Sequence, residues 1–440
     1  MDFAEALAWL DGHINYERLS LKALLNDGPA TPRHAEAKLK RVARFLDLMA
    51  EPHRQYPMIH VTGTDGKTST VRLIAELLAV RGMSVGTYTS PNLERVNERL
   101  GWNGENISDE ALAEVLAALA ELEPLVGERF SYFEVLTVAA YRWFADIAVD
   151  AAVVEVGLGG RWDATNVGDG SVAVVTNVGT DHIDVIGPTR ADIAREKSGI
   201  VKPGATLVLG ETDPELRPLF EASGAAEIWL RGRDYDCTAN RVAHGGRLLN
   251  IRTPGATYDD VFLQLHGGYQ GVNAAGAVAA AEAFFDEPVP DNVVREALVR
   301  VRSPGRTEVV NRRPLCIVDG GHTPEAAAAV AASIDEEFGP VSGRVLVLGF
   351  NRGHDMVGVI AALGVENYRV VITCAVDWPR AVPAGEVADA VRAAGGTAEP
   401  VASVDAAVDA ALAAAQPEDL VLVTGSLYTA GAARSAFSRR

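Results

Sequence analysis

Two hydrophobic periodicities alternate along the chain. Short apolar, β-branched runs recur at MIHVTG (58–63), AAVVEVGLGG (151–160), VAVVTNVG (172–179), TLVLG (206–210), LCIVDGG (315–321), RVLVLGF (344–350), RVVITCAV (369–376) and LVLVTGS (420–426). Most run into a glycine-containing turn. Unbroken apolar runs of this length suit parallel strands buried on both faces. Helical patterns lie between them. After Gly66, the residues Val71, Ile74, Ala75, Leu77 and Leu78 share one helix face, and similar stretches occupy 109–122, 272–285, 323–337, 384–394 and 403–415. This alternation predicts an α/β fold with a mostly parallel sheet. The interval 228–265 breaks the rhythm with short alternating segments such as RLLNIRT, separated by Gly, Asn and Pro. It predicts a small antiparallel patch at the edge of a first domain. The texture shifts again through EPVPDN and VRSPGR, and then strand and helix resume. That places a domain boundary near residue 303, dividing the chain into 1–302 and 303–440.

Composition narrows the class. Among 440 residues, 48% are hydrophobic and 22% charged, enough for large cores and no case for wholesale disorder. Forty basic against 59 acidic residues leave a formal charge of −19. Such a balance argues against a nucleic-acid coat or a polybasic membrane anchor, but not against anionic ligands held by a local cluster of donors. Cys237, Cys316 and Cys374 are far apart, so neither a disulfide framework nor a zinc site is expected. The start, MDFAEALAWLDGH, carries acids where a signal peptide needs bases. No apolar run approaches the roughly 18 residues of a membrane span. The expectation is a soluble cytoplasmic protein without nucleic-acid or membrane partners.

The strongest local signal is HVTGTDGKTSTV (60–71), in which a buried strand enters Gly63, Thr64, Asp65, Gly66, Lys67, Thr68 and Ser69 before a helix begins. Glycines let the backbone curl so that N–H groups point at phosphate oxygens, and the helix start adds partial positive charge. Lys67 supplies a charge to the β/γ-phosphates, and Thr68 can offer a hydroxyl to Mg²⁺. The strict G-x-x-x-x-G-K-[ST] pattern fails, because its first glycine position is Val61. Three other segments carry polar residues after strands: YTSPNLERVNER (88–99), with Ser90; VVEVGLGGRWDATN (153–166), with Glu155 and Asp163; and TNVGTDHIDVIG (176–187), with Asp181 and His182. Ligands of open α/β sheets bind beyond the carboxyl ends of strands, so these segments can converge on the phosphate loop. Glu155 and Ser90 suit Mg²⁺, which prefers oxygen ligands.

Four spaced motifs, GTDGKTST, TSPNLERVNERL, EVGLGGRWDATN and TNVGTDHIDVIGPTRADIAREKSGI, resemble the folylpolyglutamate synthase/dihydrofolate synthase branch of the Mur ligase superfamily. The match continues through YQGVNAAGA, SPGRTE, DGGHTPEA and TGSLYTAG and covers most of the chain. The resemblance implies a P-loop, Mur-ligase-like ATPase domain and a smaller Rossmann-like C-terminal domain that closes on it. It implies ATP-dependent carbon–nitrogen ligation. ATP phosphorylates a substrate carboxylate, and the amine of L-glutamate then attacks the acyl phosphate of dihydropteroate or a reduced folate. The implied cofactors are ATP and Mg²⁺, with K⁺ as a further ion, and the implied state is a monomer. By position, Gly63 to Ser69 resemble the ATP-phosphate site, and Ser90, Glu155 and His182 resemble Mg²⁺ ligands. Lys197 matches a lysine carbamylated in many relatives, which would help hold a second Mg²⁺. Asn273 resembles the nucleotide-contacting Asn; Arg306 and Asp319 resemble groups that close onto ATP; His322 resembles one lining the glutamate or phosphate side. Lys67, His182, Lys197, Asp319 and His322 are thus the implied catalytic set. Ser131, Tyr132, Phe133, Glu134, Trp162, Asp163 and Ala164 match pterin-binding regions.

The sequence departs from the family pattern in several places. GKTS stands where many folate ligases have GKGS, Asn92 replaces the histidine of SPHL, DGAHNP has become DGGHTP, and the frequent D-K-D is Arg352, Gly353, His354, Asp355. Three other functions compete with the leading one. A Mur ligase acting on a nucleotide-linked cell-wall precursor usually needs a separate N-terminal domain, and here the loop begins about sixty residues in. A folate-binding paralogue with reduced activity fits the altered motifs, but the intact phosphate loop argues for turnover. A P-loop switch would need no second domain carrying Asp319 and His322.

Overall fold

The computed structural model describes residues 1–18, 32–180 and 183–440, excluding the side chains of 32–35 and 184. The expected α/β architecture is present. Eight strands form the larger sheet in the order Glu105–Asn106, Leu100–Trp102, Val85–Tyr88, Ala151–Glu155, Met58–Thr62, Gly170–Val175, Thr206–Leu209 and Glu227–Leu230. The six from Val85–Tyr88 onward pair in parallel, and the first two form an antiparallel edge. Met58–Thr62 and Ala151–Glu155 are buried at every position, as their unbroken apolar character requires.

Met58–Thr62 lies between Ala151–Glu155 and Gly170–Val175, with Val61 opposite Glu155 and Thr62 opposite Val175. The three strands therefore end together, and the segments that follow them meet at one edge. The helix Lys67–Val80 buries Val71, Leu73, Ile74, Leu77 and Leu78 in one core, which it shares with the helix Tyr269–Phe285. The opposite face is covered by Phe3–Asp11, Pro32–Asp47, Asp109–Val126 and Tyr132–Asp146.

One expectation needs correction. Residues 227–230 do not belong to the antiparallel patch but add a parallel edge strand to the main sheet. The patch is a separate three-stranded sheet of Asp236–Ala243, Gly246–Arg252 and Thr257–Leu263. Its alternating Leu249, Ile251, Val261 and Leu263 face the core around Tyr269–Phe285.

The C-terminal sheet runs Glu308–Arg312, Leu315–Val318, Leu420–Thr424, Arg344–Leu348, Val370–Thr373 and Ala398–Pro400. All pairs are parallel except the first. Separate apolar clusters cover its two faces. Among the described residues, no helix is long and apolar enough to cross a membrane.

Candidate active site

The loop after Met58–Thr62 is fastened to the segment after the neighbouring strand. Thr64 N–H donates to Asn177 Oδ1 at 3.0 Å, and Asp65 N–H donates to the same oxygen at 2.9 Å. Gly179 N–H donates to Thr64 Oγ1 at 2.9 Å. Two loop amides are thus engaged by Asn177, a partner that sequence reading did not single out. A helix start leaves its first N–H groups without intrahelical acceptors, here those of Lys67, Thr68 and Ser69. Gly66 holds φ +79°, and a Cβ there would lie 2.6 Å from Asn273 Oδ1. Only glycine fits this left-handed, crowded position. Lys67 Nζ donates to the carbonyls of Gly63 and Thr64, both at 3.0 Å.

Three of the metal-ligand candidates meet beside this loop. Thr68 Oγ1 lies 3.0 Å from both carboxylate oxygens of Glu155, and Ser90 N–H donates to Glu155 Oε2 at 3.3 Å. Glu155 is 1% exposed. Burial pushes its carboxyl above the usual carboxylate range, opposed by Lys67, Thr68, the Ser90 amide and Arg306. A carboxylate beside two hydroxyl-bearing residues is the oxygen-only donor set that a hard divalent cation takes. Lys197 is buried and lines the same small cavity as Gly63, Thr64, Lys67, Gly157 and Gly159. Asp181 and His182 lie outside the described residues.

The second half of the site arrives through the linker. Asn273 Nδ2 donates to Gln270 Oε1 at 3.0 Å, Gln270 Nε2 to Ser69 Oγ at 3.4 Å, and Ser69 Oγ lies 3.0 Å from Ser303 Oγ. This buried chain ties the loop helix to the start of the C-terminal segment, and its Gln270 and Ser303 were not anticipated. Gln270 lies within YQGVNAAGA, where only Asn273 drew attention. Asp319 is 2% exposed and accepts from the amides of Thr307 and Gly321, both at 2.7 Å. Burial pushes its carboxyl up, and Arg306 opposes this. A Cβ at Gly321 would sit 2.8 Å from Asp319 Oδ1, so the departure from alanine relieves pressure on this carboxylate. Thr323 caps the helix Pro324–Glu337 by accepting Ala326 N–H at 3.1 Å, a role that asparagine serves equally well. His322 donates from Nδ1 to Gly320 O at 3.2 Å, and its ring lies 4.5 Å from that of His354.

The pterin candidates divide. Phe133, Gly157 and Asp163 come together, because a Cβ on Gly157 would meet Phe133 Cζ at 2.5 Å and Asp163 Oδ2 at 3.1 Å. Asp163 accepts from Leu158 N–H at 2.9 Å, from Thr165 N–H at 3.0 Å and from Thr165 Oγ1 at 2.5 Å. Thr165 Oγ1 in turn lies 2.9 Å from Nε2 of the fully buried His60. Trp162 is half-buried beside them, and Ala164 is buried. Glu134 is committed elsewhere. It forms a capping box with Ser131 and an ion pair with Arg41 at 2.5 Å, so its charge is already neutralised. Tyr132 packs under Arg99, whose guanidinium carbon is 5.5 Å from the ring. Arg99 pairs with Glu17 at 2.7 Å and donates to Asn92 Oδ1 at 2.8 Å, which gives the altered SPNL residue a structural partner.

Comparison with known proteins agrees with this geometry. Residues 61–281 match the Mur ligase middle domain, and residues 305–427 match the Mur ligase glutamate ligase domain. The chain is 35% identical to the dihydrofolate synthase/folylpolyglutamate synthase of Mycobacterium tuberculosis, covering 92% of this chain and 91% of that protein. It is 33% identical to the enzyme of the same name from Escherichia coli over 84% of each. Among solved structures, M. tuberculosis folylpolyglutamate synthase complexed with ADP and AMPPCP superposes with a TM-score of 0.88 at 32% identity, covering 100% of both chains. E. coli FolC in complex with DHPP and ADP gives 0.84 at 30% identity, covering 100% of this chain and 98% of that one. The chain therefore belongs to the dihydrofolate synthase/folylpolyglutamate synthase family of Mur ligases.

Proposed function

We propose that this protein is an ATP-dependent ligase that joins L-glutamate to dihydropteroate, to reduced folates or to both. The observation that carries the reading is the convergence of Thr68, Ser90 and the buried Glu155 beside Lys67 and the first amides of the loop helix. In this reading residues 1–302 bind ATP and the pterin, and residues 303–440 bring the amino-acid side of the cleft. The loop from Gly63 to Ser69 holds the ATP phosphates, with Lys67 offsetting their charge and Asn273 beside the nucleotide. Thr68, Ser90 and Glu155 would hold Mg²⁺, with His182 a further candidate ligand by its motif, and the ion would supply charge stabilisation at the transferring phosphoryl group. K⁺ is a further candidate ion. Lys197 shares a cavity with Lys67, and carbamylation would convert that pair from like to opposite charge.

The chemistry has two balanced steps. An acceptor carboxylate oxygen bonds to the γ-phosphorus as the bond to the ADP oxygen breaks. The glutamate amine, having lost its proton, then bonds to the acyl carbon as inorganic phosphate leaves. Arg306, Asp319 and His322 lie on the side that closes over the nucleotide, and closure keeps water from the acyl phosphate. Phe133 and Asp163 line the pterin side with Trp162, Ala164, Ser131 and Tyr132. Glu134, whose charge Arg41 takes, supports that side only by capping the helix Tyr132–Asp146 with Ser131. The ligands are small molecules, and the working unit is a cytoplasmic monomer.

The test is phosphate release from ATP with Mg²⁺, bicarbonate and L-glutamate, offering dihydropteroate, tetrahydrofolate or a UDP-sugar peptide as acceptor. Release with the pteridine acceptors alone supports the reading. Turnover with only the UDP-sugar peptide refutes it, and turnover with none supports a binding paralogue.

A further inference from the structure

Arg72 lies on the loop helix one turn beyond Thr68, and helical side chains lean toward the N-terminus, here toward Thr68 and Glu155. It is half-buried, yet it has no hydrogen-bond or ion-pair partner among the described residues. The charged groups near enough to act on it electrostatically come from four elements: Glu98 after the SPNL loop, Glu155 at a strand end, Arg306 in the linker and Arg434 in the C-terminal helix. The two carboxylates are already committed. Glu98 accepts the amides of Leu93, Glu94 and Arg95 at 2.7, 3.0 and 2.9 Å, and Glu155 accepts from Thr68 and Ser90. Arg434 is taken by Glu308 at 3.0 Å and Glu94 at 3.2 Å. Arg306 likewise has no hydrogen-bond or ion-pair partner among the described residues, and its Nη1 lies 3.4 Å from where a Cβ on Gly320 would stand. Acids outnumber bases by 59 to 40 in this chain, and enclosed guanidinium groups are ordinarily paired.

Two uncommitted guanidinium groups at one seam call for an oxyanion that arrives from solution. The phosphates are served by the loop amides, Lys67 and, in the reading above, Arg306. The anion left without a cation is a carboxylate of the amino acid, whose amine must reach the acyl carbon from the C-terminal side. A guanidinium matches a carboxylate through two parallel N–H···O bonds. We propose that Arg72 is a binding residue for the incoming amino acid and holds one carboxylate of L-glutamate at the seam between the loop helix and the C-terminal domain. The proposal rests on the ligase reading above, and its test separates the two.

The experiment compares full-length wild type, R72A and R72K. With a pteridine acceptor and saturating ATP and Mg²⁺, R72A raises the KM for L-glutamate by about 10- to 100-fold. The KM for ATP and the kcat at saturating glutamate stay within about three-fold. R72K recovers part of the loss, and ADP affinity by calorimetry confirms that the variants fold. L-Isoglutamine and L-glutamine each replace one carboxylate by an amide. With the donor that lacks the carboxylate Arg72 holds, wild type and R72A become equal. An unchanged glutamate KM overturns the proposal. So does an equal rise in the KM for ATP, which makes Arg72 a phosphate contact, or a difference that survives both amides. If wild type turns over no pteridine acceptor, the ligase reading fails. Equilibrium binding of labelled L-glutamate in the presence of AMPPCP then still decides Arg72: loss of binding in R72A supports the proposal, and equal binding overturns it.

Discussion

Replacing Arg247 should loosen the attachment of the C-terminal domain. Arg247 belongs to the three-stranded sheet, its side chain is 2% exposed, and it reaches the end of the helix Pro324–Glu337. Nη1 contacts Glu336 at 2.9 Å and Glu337 at 2.5 Å. The same Glu337 accepts from His266 Nδ1 and from Gly267 N–H, both at 2.8 Å. Glu336 is half exposed, so its pair contributes little. Glu337 is 2% exposed and would be left buried without its cation. Breaking a buried pair costs about 3–5 kcal/mol, and the surviving His266 and Gly267 contacts place R247M at the lower end, about 3 kcal/mol. For domains of about 150–250 residues that lowers Tm by about 6–12 °C. Calorimetric unfolding of R247M, E337Q and the double variant measures it, and the coupling between the two sites should exceed about 1 kcal/mol. Additive effects within about 0.5 kcal/mol would refute the clamp. The pH dependence has a definite sign. Burial pushes the Glu337 carboxyl up, but His266, the Gly267 amide and Arg247 outweigh it and hold the group below its usual value. A lowered folded value means a contribution complete above the unfolded value, about 4.3. It is lost as pH falls through the folded value. The stability difference between wild type and R247M should therefore be level from about pH 6 to 8 and shrink below about pH 4.

Other perturbations address the site itself. G66A introduces a Cβ at a left-handed φ of +79° and 2.6 Å from Asn273 Oδ1. ADP affinity should fall by about ten-fold or more while a folate analogue still binds, both read by calorimetry. G157A places a methyl 2.5 Å from Phe133 Cζ, so the KM for the pteridine acceptor should rise by about ten-fold with the KM for ATP unchanged. K67A removes the charge proposed to offset the ATP phosphates, and steady-state phosphate release should be lost with every acceptor.

Much of this was legible because strand ends carry their own punctuation. The runs at 58–63, 151–160 and 172–179 contain strands that end side by side, so the polar residues after them converge on one edge. The helix Tyr132–Asp146 was not anticipated, although its capping residue was already noted. It buries eleven residues around its circumference and shows no amphipathic stripe for periodicity to find. The strand Glu227–Leu230 was assigned to the wrong sheet, because four residues cannot reveal whether their partner runs parallel or antiparallel. Within the site, Thr68, Ser90 and Glu155 were found through oxygen chemistry, but Asn177, Gln270 and Ser303 act by hydrogen bonds across 112, 201 and 234 residues of chain. No local pattern marks such distant partners. Glu134 illustrates the converse. Its residue type suited a pterin edge, and only the fold reveals that Arg41 takes its charge.

The most direct test of the central claim follows an oxygen atom. Dihydropteroate or tetrahydrofolate labelled with ¹⁸O at both oxygens of its terminal carboxylate is incubated with the protein, ATP, Mg²⁺ and L-glutamate, and the released phosphate is analysed by mass spectrometry. Activation through an acyl phosphate moves one carboxylate oxygen into phosphate, so each molecule of phosphate formed with the glutamyl product should carry one ¹⁸O. Glutamyl product accompanied by unlabelled phosphate would contradict the account.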